Sequence, residues 1–482
     1  MLISKRYISI FYLICCAFLF INAYFVTKSN FVFNLLPVFI LLGIVAAFSI
    51  DNLFLFIVFF TPISLNISDI INARISPDLS LPTEPFLFLI LAIVLIKIGL
   101  GFKFEKSLIN HPMSLVILFH LGWLFLTSLT STMPIVSFKF FLARLWFVVP
   151  SYFFCTQVFK KEANINRFLW LYIIPFTGVI IYTLYQHSLY NFAEHPANWV
   201  VKPFYNDHTS YGAMLAMLIP VLVGFVFLSP MGKTTKFIAI VLFVFYLIAT
   251  VFSYTRASWV SLAAALGMLA ILKLKIQFKT LFACLVLALI GFFIFQQAIV
   301  NKLEANNKQS SDNLTDHVQS ISNISSDASN KERINRWNCA IRMFKKKPFF
   351  GYGPGTYSFQ YAPFQYRKEK TIISTDHGDG GNAHSEYLGP LAEGGLIGLL
   401  SFASIVLVLV ATSMRLYYTL DNSDLKITVA ILLLGLVTYF VHGFMNNFLD
   451  TDKASIPFWG FIAAIVAIDL YHSKRLLKPT TD

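Results

Sequence analysis

Long apolar runs recur along almost the whole of this chain, and that pattern leaves few folds open. They lie near residues 7–26, 32–49, 53–66, 86–100, 113–130, 138–158, 168–187, 211–229, 235–253, 257–272, 279–299, 388–413, 426–446 and 455–471. A bilayer core about 30 Å thick needs helices of about 20 apolar residues, and most of these runs approach that length. In lipid every backbone N–H and C=O must be paired within its own segment, which a helix achieves and an open strand does not. The expected fold class is an all-α polytopic membrane protein. Composition agrees: 57% hydrophobic and 13% charged over 482 residues is more apolar surface than a soluble fold could bury. The runs at 32–49 and 53–66, parted by Asp51-Asn52, form a tight hairpin or a partial crossing, so the chain carries 12–14 transmembrane helices.

One polar stretch interrupts the pattern. Residues 300–387 separate the eleventh run from the twelfth and divide the chain into an N-terminal transmembrane bundle (1–299), a loop domain (300–387) and C-terminal transmembrane helices with a short tail (388–482). Short loops set the orientation. With the N-terminus inside, 18 Lys and Arg fall in cytoplasmic segments and five (Lys28, Arg74, Lys202, Arg256, Lys453) in the short outside loops. Positive charge stays on the cytoplasmic side, and long loops are exempt because they translocate regardless of charge. Both termini are expected in the cytoplasm and the insert outside. The net charge of +13 is then a topological signal, and nucleic acid is not an expected partner. The cysteines (Cys15, Cys16, Cys155, Cys284, Cys339) show no ligand spacing, so no metal site or disulfide framework is expected.

Within the insert, residues 301–330 are rich in Ser, Asn and Asp and offer little to bury. Ser329-Asn330-Lys331-Glu332 reads as a capping box opening a helix. Ile334, Trp337, Ile341 and Phe344 then repeat at helical spacing, with Arg333 and Arg336 beside them and Lys345-Lys346-Lys347 closing the helix before Pro348. This describes a basic amphipathic helix lying on the membrane. Residues 331–370 hold ten Lys and Arg against two Glu, a cationic surface suited to an anionic ligand. Gly351-Tyr352-Gly353-Pro354-Gly355 lacks the spacing of a nucleotide loop and reads as a tight turn. His384 sits at the mouth of a span next to Gly378, Gly380 and Gly381, as a base or as a helix cap. Glu393 lies less than two turns into that span, where an ionisable group either acts or orients a partner. Arg256, in Ser253-Tyr254-Thr255-Arg256-Ala257-Ser258, joins two spans on the same side; its plain role is a snorkelling arginine. Asp207 and His208 open a further span there, where Asp207 or Thr209 can cap the helix.

Tyr254-Thr255-Arg256-Ala257-Ser258, Glu332-Arg333-Ile334 with Trp337, Pro348-Phe349-Phe350-Gly351-Tyr352-Gly353-Pro354-Gly355, and His384-Ser385-Glu386-Tyr387-Leu388 running into Glu393-Gly394-Gly395 together resemble the O-antigen ligase and polymerase superfamily of bacterial membrane glycosyltransferases. The motifs lie between Asp207 and Gly398, and none is specific alone. The resemblance implies transfer of a glycan from undecaprenyl diphosphate to an acceptor hydroxyl on the outer side of the inner membrane, without a metal or other cofactor. The acceptor is a lipid A-core for a ligase or a growing glycan for a repeat-unit polymerase. In such enzymes two arginines engage the donor diphosphate and a histidine at the end of the loop is the base. Carried across, these are Arg256, Arg333 (with Arg336 as the register alternative) and His384. A count above twelve spans departs from the pattern usual for ligases. The competing class is a lipid-linked glycan flippase, which would place ionisable residues near the bilayer midplane.

Overall fold

The computed structural model describes residues 18–19, 21–22, 49–68, 79–287, 290, 328–370, 374 and 381–473. The spans expected at 7–26 and 32–49, the second half of 279–299, residues 300–327, and Gly378 and Gly380 lie wholly or mostly outside them. Residues 1–56 and 57–482 form two compact units. In the first, the described residues are helical at 18–19, 21–22 and 50–56.

Among its described residues the second unit has one two-residue antiparallel strand pair, Leu65–Asn66 with Ser80–Leu81, and its other regular elements are helices. Among the described residues nine helices are long and apolar enough to cross a membrane. They are α1 (Pro112–Leu129), α2 (Pro134–Val158), α3 (Ala163–Ser188), α4 (His208–Phe227), α5 (Lys233–Phe252) and α6 (Arg256–Lys273), then, beyond the insert helix α7 (Ala328–Lys346), α8 (Leu388–Thr419), α9 (Ser423–His442) and α10 (Asp452–His472). This is an all-α, multi-pass membrane architecture. The run expected at 86–100 forms the 17-residue helix Thr83–Gly99. At about 1.5 Å per residue it falls short of a ~30 Å core.

Local chemistry explains where the helices begin. Pro134 starts α2 at its first position, where a missing N–H costs nothing. Asp207 accepts from the backbone N–H of Thr209 and Ser210, so α4 starts at His208, earlier than its apolar run indicates. Asn422 caps α9 in the same way.

Small residues bring the helices close, since in lipid packing rather than the hydrophobic effect drives association. A Cβ on Gly224 of α4 would sit 2.2 Å from Ile431 of α9, and one on Gly435 would sit 2.6 Å from the carbonyl of Met217. These contacts fix α4 and α9 as an antiparallel pair. α6 packs on both, with Gly212 pressed against Thr255 and Ser258.

The insert helix packs on its neighbours through a face other than its apolar stripe. Its packed face carries Glu332, Asn335, Arg336, Cys339, Ala340 and Met343, while Ile334 and Ile341, part of the expected apolar stripe, are exposed. The polar members of the packed face go inside because partners meet them there. Asn335 donates to Gln365 (2.9 Å), and the Arg336 carbonyl accepts from the Tyr357 hydroxyl (2.7 Å). Ser329 lies within the helix, and the Glu332 carboxylate is taken by Arg336 and Ser374, so the Ser329–Glu332 pattern is not a capping box at the helix start.

Candidate active site where the insert meets the bundle

α4, α6 and α8 all begin at the end of the bundle that meets the insert, and α9 ends there. The first turn of α4 is the hub. Asp207 Oδ1 is held by three donors: the Thr209 N–H (2.8 Å), the Thr209 hydroxyl (2.6 Å) and the Ser210 N–H (2.8 Å). The Thr255 hydroxyl donates to the His208 carbonyl at 2.9 Å, which places Arg256, the first residue of α6, beside that turn. Arg256 is half-buried. A guanidinium at a helix N-terminus, next to a second helix N-terminus, makes a strongly anion-attracting corner.

His384 approaches the same turn from the insert. Burial, then the cations Arg333 and Arg336, hold its imidazole well below the usual range, at about 4, with Asp207 and Glu332 pulling the other way. It is therefore neutral at pH 7. Its backbone is left-handed (φ 48°), a strained state for a residue with a side chain. The strain is held from both sides: the His384 N–H donates to Asn382 Oδ1 (3.0 Å) and the carbonyl accepts from Trp337 Nε1 (3.3 Å). Ser385, not His384, serves the start of α8, its hydroxyl accepting from the N–H groups of Tyr387 and Leu388. Glu386 anchors the far side, taking the Tyr439 hydroxyl (2.6 Å) and the Phe448 and Leu449 N–H groups (2.8 and 2.9 Å). Ser385, Glu386 and Tyr387 are thus committed to structure, whereas no hydrogen bond from a described residue holds the His384 ring.

The two insert arginines differ. Arg336 is buried, paired with Glu332 at 2.7 Å, and stacked 4.0 Å over the Tyr361 ring. Arg333 is half-buried, and its charge is felt at His384, His208 and His442. Of the residues picked out in sequence, the structure brings together Asp207, His208, Arg333, Arg336 and His384, with Arg256 at the neighbouring turn.

Glu393 belongs to a different assembly. Its carboxylate accepts from the Tyr357 N–H (2.9 Å) and its carbonyl from the Gly353 N–H (2.8 Å). Trp123 Nε1 donates to the Gly394 carbonyl, and the Leu396 N–H donates to the Pro348 carbonyl. Residues 348–357 are thereby docked on a break in α8 at Gly395 (φ 67°), where an added Cβ would lie 2.2 Å from the Phe349 carbonyl oxygen. The glycine-rich segment is a docking turn. A cavity of about 200 Å³ adjoins it, lined by Asn382, Ser385, Glu386 and Glu393 with Arg144 and Asp450, and not by Arg256, Arg333 or His384.

Reading the sequence missed His442, the last residue of α9. It is fully buried, and neither ring nitrogen has a hydrogen-bond partner among the described residues. A histidine ending an apolar run just before Gly443 was the available signal. Among the described residues no three His, Cys, Asp or Glu side chains group as a metal ion requires.

Comparison with curated proteins gives no match. The family model described as O-antigen ligase matches residues 241–403. That stretch runs from within α5 to within α8 and contains Arg256, Arg333, Arg336, His384 and Glu393, though not Asp207, His208 or His442. Over residues 241–403, therefore, the chain resembles the O-antigen ligases, the relationship to which its motifs point.

Proposed function

We propose that this protein moves a glycan from undecaprenyl diphosphate to an acceptor hydroxyl at the outer face of the inner membrane, as an O-antigen ligase-like enzyme of surface polysaccharide synthesis. The observation that carries the reading is the meeting of Arg333 and a neutral His384 at the first turn of α4, beside Arg256. The acceptor oxygen attacks the anomeric carbon, the bond from that carbon to the phosphate oxygen breaks, and the electron pair leaves with undecaprenyl diphosphate. Arg256 and Arg333 neutralise the charge that builds on the leaving group, since guanidinium forks match phosphate oxygens two at a time. His384 takes the acceptor proton. Burial lowers its proton affinity most, and the charges of Arg333 and Arg336 lower it further. A bound diphosphate offsets Arg333 and raises the basicity of the imidazole when it is needed.

A flippase is a poorer fit. The ionisable residues that gather here lie at the insert end of the helices, not halfway along them. The test is deletion of the gene followed by analysis of the carrier-linked and core-linked glycans. Long polymer stranded on the carrier supports ligation; single repeat units on the core would instead assign polymerisation. Unchanged glycans on both would remove the reading.

A further inference from the structure

The reading above leaves His442 unused, although it is the most exacting residue of the cluster to explain. A buried polar atom without a partner destabilises a fold, and this imidazole carries two. Its place is fixed from several sides. α4 and α9 touch at Gly224 with Ile431 and at Met217 with Gly435; seven residues further along α9, His442 comes level with Ser210 in the first turn of α4. The carbonyl of the next residue, Gly443, accepts from the Glu386 N–H at 2.8 Å, tying this helix end to the segment that carries His384. The Phe448 ring, 5.8 Å away, covers a further side. The charged and titratable groups that face it are Arg333, Asp207 and His208. On α6, which packs against both α4 and α9, Ser258 is also fully buried and unpartnered, at the level of Gly212. Two buried polar side chains with no hydrogen-bond partner among the described residues thus lie near the first turns of α4 and α6.

We propose that His442 is a donor-binding residue: its imidazole N–H hydrogen-bonds an oxygen of the donor diphosphate at the inner wall of the site, with Ser258 at the same level. The inference rests on the proposed lipid diphosphate donor. An anion is the ligand chemistry that suits this place, because the charge of Arg333 acts on it and the first turns of α4 and α6 lie in the helices packed against α9. An imidazole reaches there as a fixed donor whose ring has only two torsions to order. The residue lies outside the stretch that matches the ligase family, so this part of the wall comes from the C-terminal spans.

The test uses the purified full-length protein in detergent, titrated with undecaprenyl diphosphate, and reads the dissociation constant and the unfolding midpoint of the free protein. His442→Met fills the space without a donor, and His442→Gln keeps an N–H of similar reach. Binding is expected to weaken about tenfold in His442→Met, to stay within about threefold in His442→Gln, and the free His442→Met protein to melt no lower than the parent. Equal affinity of the two variants would overturn the proposal, and so would a lowered midpoint in His442→Met with binding unchanged, the mark of a packing role. Should the parent protein itself bind no undecaprenyl diphosphate, the donor reading falls as well. Parent binding with indifferent variants removes only the role of His442.

Discussion

Arg333 and Arg336 lie one turn apart on α7, yet their surroundings give them different tasks. Arg336→Ala removes the buried cation paired with the Glu332 carboxylate, and breaking a buried ion pair costs on the order of 3–5 kcal/mol. The variant is expected to melt well below the parent and to lose transfer only as a consequence. Arg333→Ala should keep the parental midpoint and lose a charge-assisted contact of about 1.5–3 kcal/mol to the diphosphate, read as lowered transfer from a carrier-linked glycan. Lysine should restore it only partly. The opposite pattern would move the donor contact to Arg336. For His384, alanine should lower turnover by roughly 10²–10⁴ with donor binding retained. The pH dependence has a definite sign. Its proton affinity is depressed from the ordinary 6.5 to about 4, so the unfolded chain binds the extra proton over that window and stability falls as pH drops through it. The pH profile of kcat/KM, which reports the free enzyme, should show no acid limb from this residue near 6.5. The residue types were legible in the sequence because Arg256 and His384 sit at span junctions and Arg333 lies in a conspicuously basic helix of the insert. The burial of Arg336 was not, because it depends on Glu332 turning along the helix and Tyr361 folding back beneath it.

At the scale of elements, the apolar runs located α1 to α6 and α8 to α10 because lipid forces helix on any segment that must pair its own backbone. The ends were less legible, being set by single side chains such as Asp207. Replacing that cap by alanine should cost about 1 kcal/mol and loosen the turn to which Thr255 and hence Arg256 are tied, so unfolding and transfer should both respond modestly. In the insert helix, hydrophobic periodicity picked out the stripe of Ile334 and Ile341, which the protein leaves exposed, and gave no sign of the polar face that packs against the rest of the insert. Periodicity assumes that polar residues seek water, and here Asn335 and Arg336 find Gln365, Tyr357 and Tyr361 instead. The break in α8 offers a sharper check. Gly395→Ala forces a side chain into a left-handed conformation, about 1–2 kcal/mol by itself, and against the Phe349 carbonyl. It is expected to release residues 348–357, measurable as faster proteolysis within the insert and a lower melting midpoint.

For the whole molecule, the asymmetry of Lys and Arg between short loops predicts that the insert lies on the outer side of the membrane. The expectation is testable without any assay of activity. With the exposed Cys284 replaced by serine, a cysteine at Lys345 should react with a membrane-impermeant maleimide in intact spheroplasts, and one at Lys233 only after permeabilisation. Equal labelling of both would invert the proposed sidedness of the site. The convergence of α4, α6, α9 and the His384 segment could not be read from the chain. It arises from helix-to-helix contacts between glycines and neighbours more than 40 residues away, and no local pattern encodes them.

The way the insert rests on α8 has a consequence for exchanging parts between related proteins. Backbone groups of Pro348, Tyr352 and Gly353 pair with those of Leu396, Ala392 and Glu393, so the loop supplies bonds that the interrupted helix cannot make for itself. Loop and span are in that sense one module with its seam well inside the membrane helix. A graft cut at the apparent border near Tyr387 would carry away half of a joint. One that extends past Leu396 would bring the matching half with it.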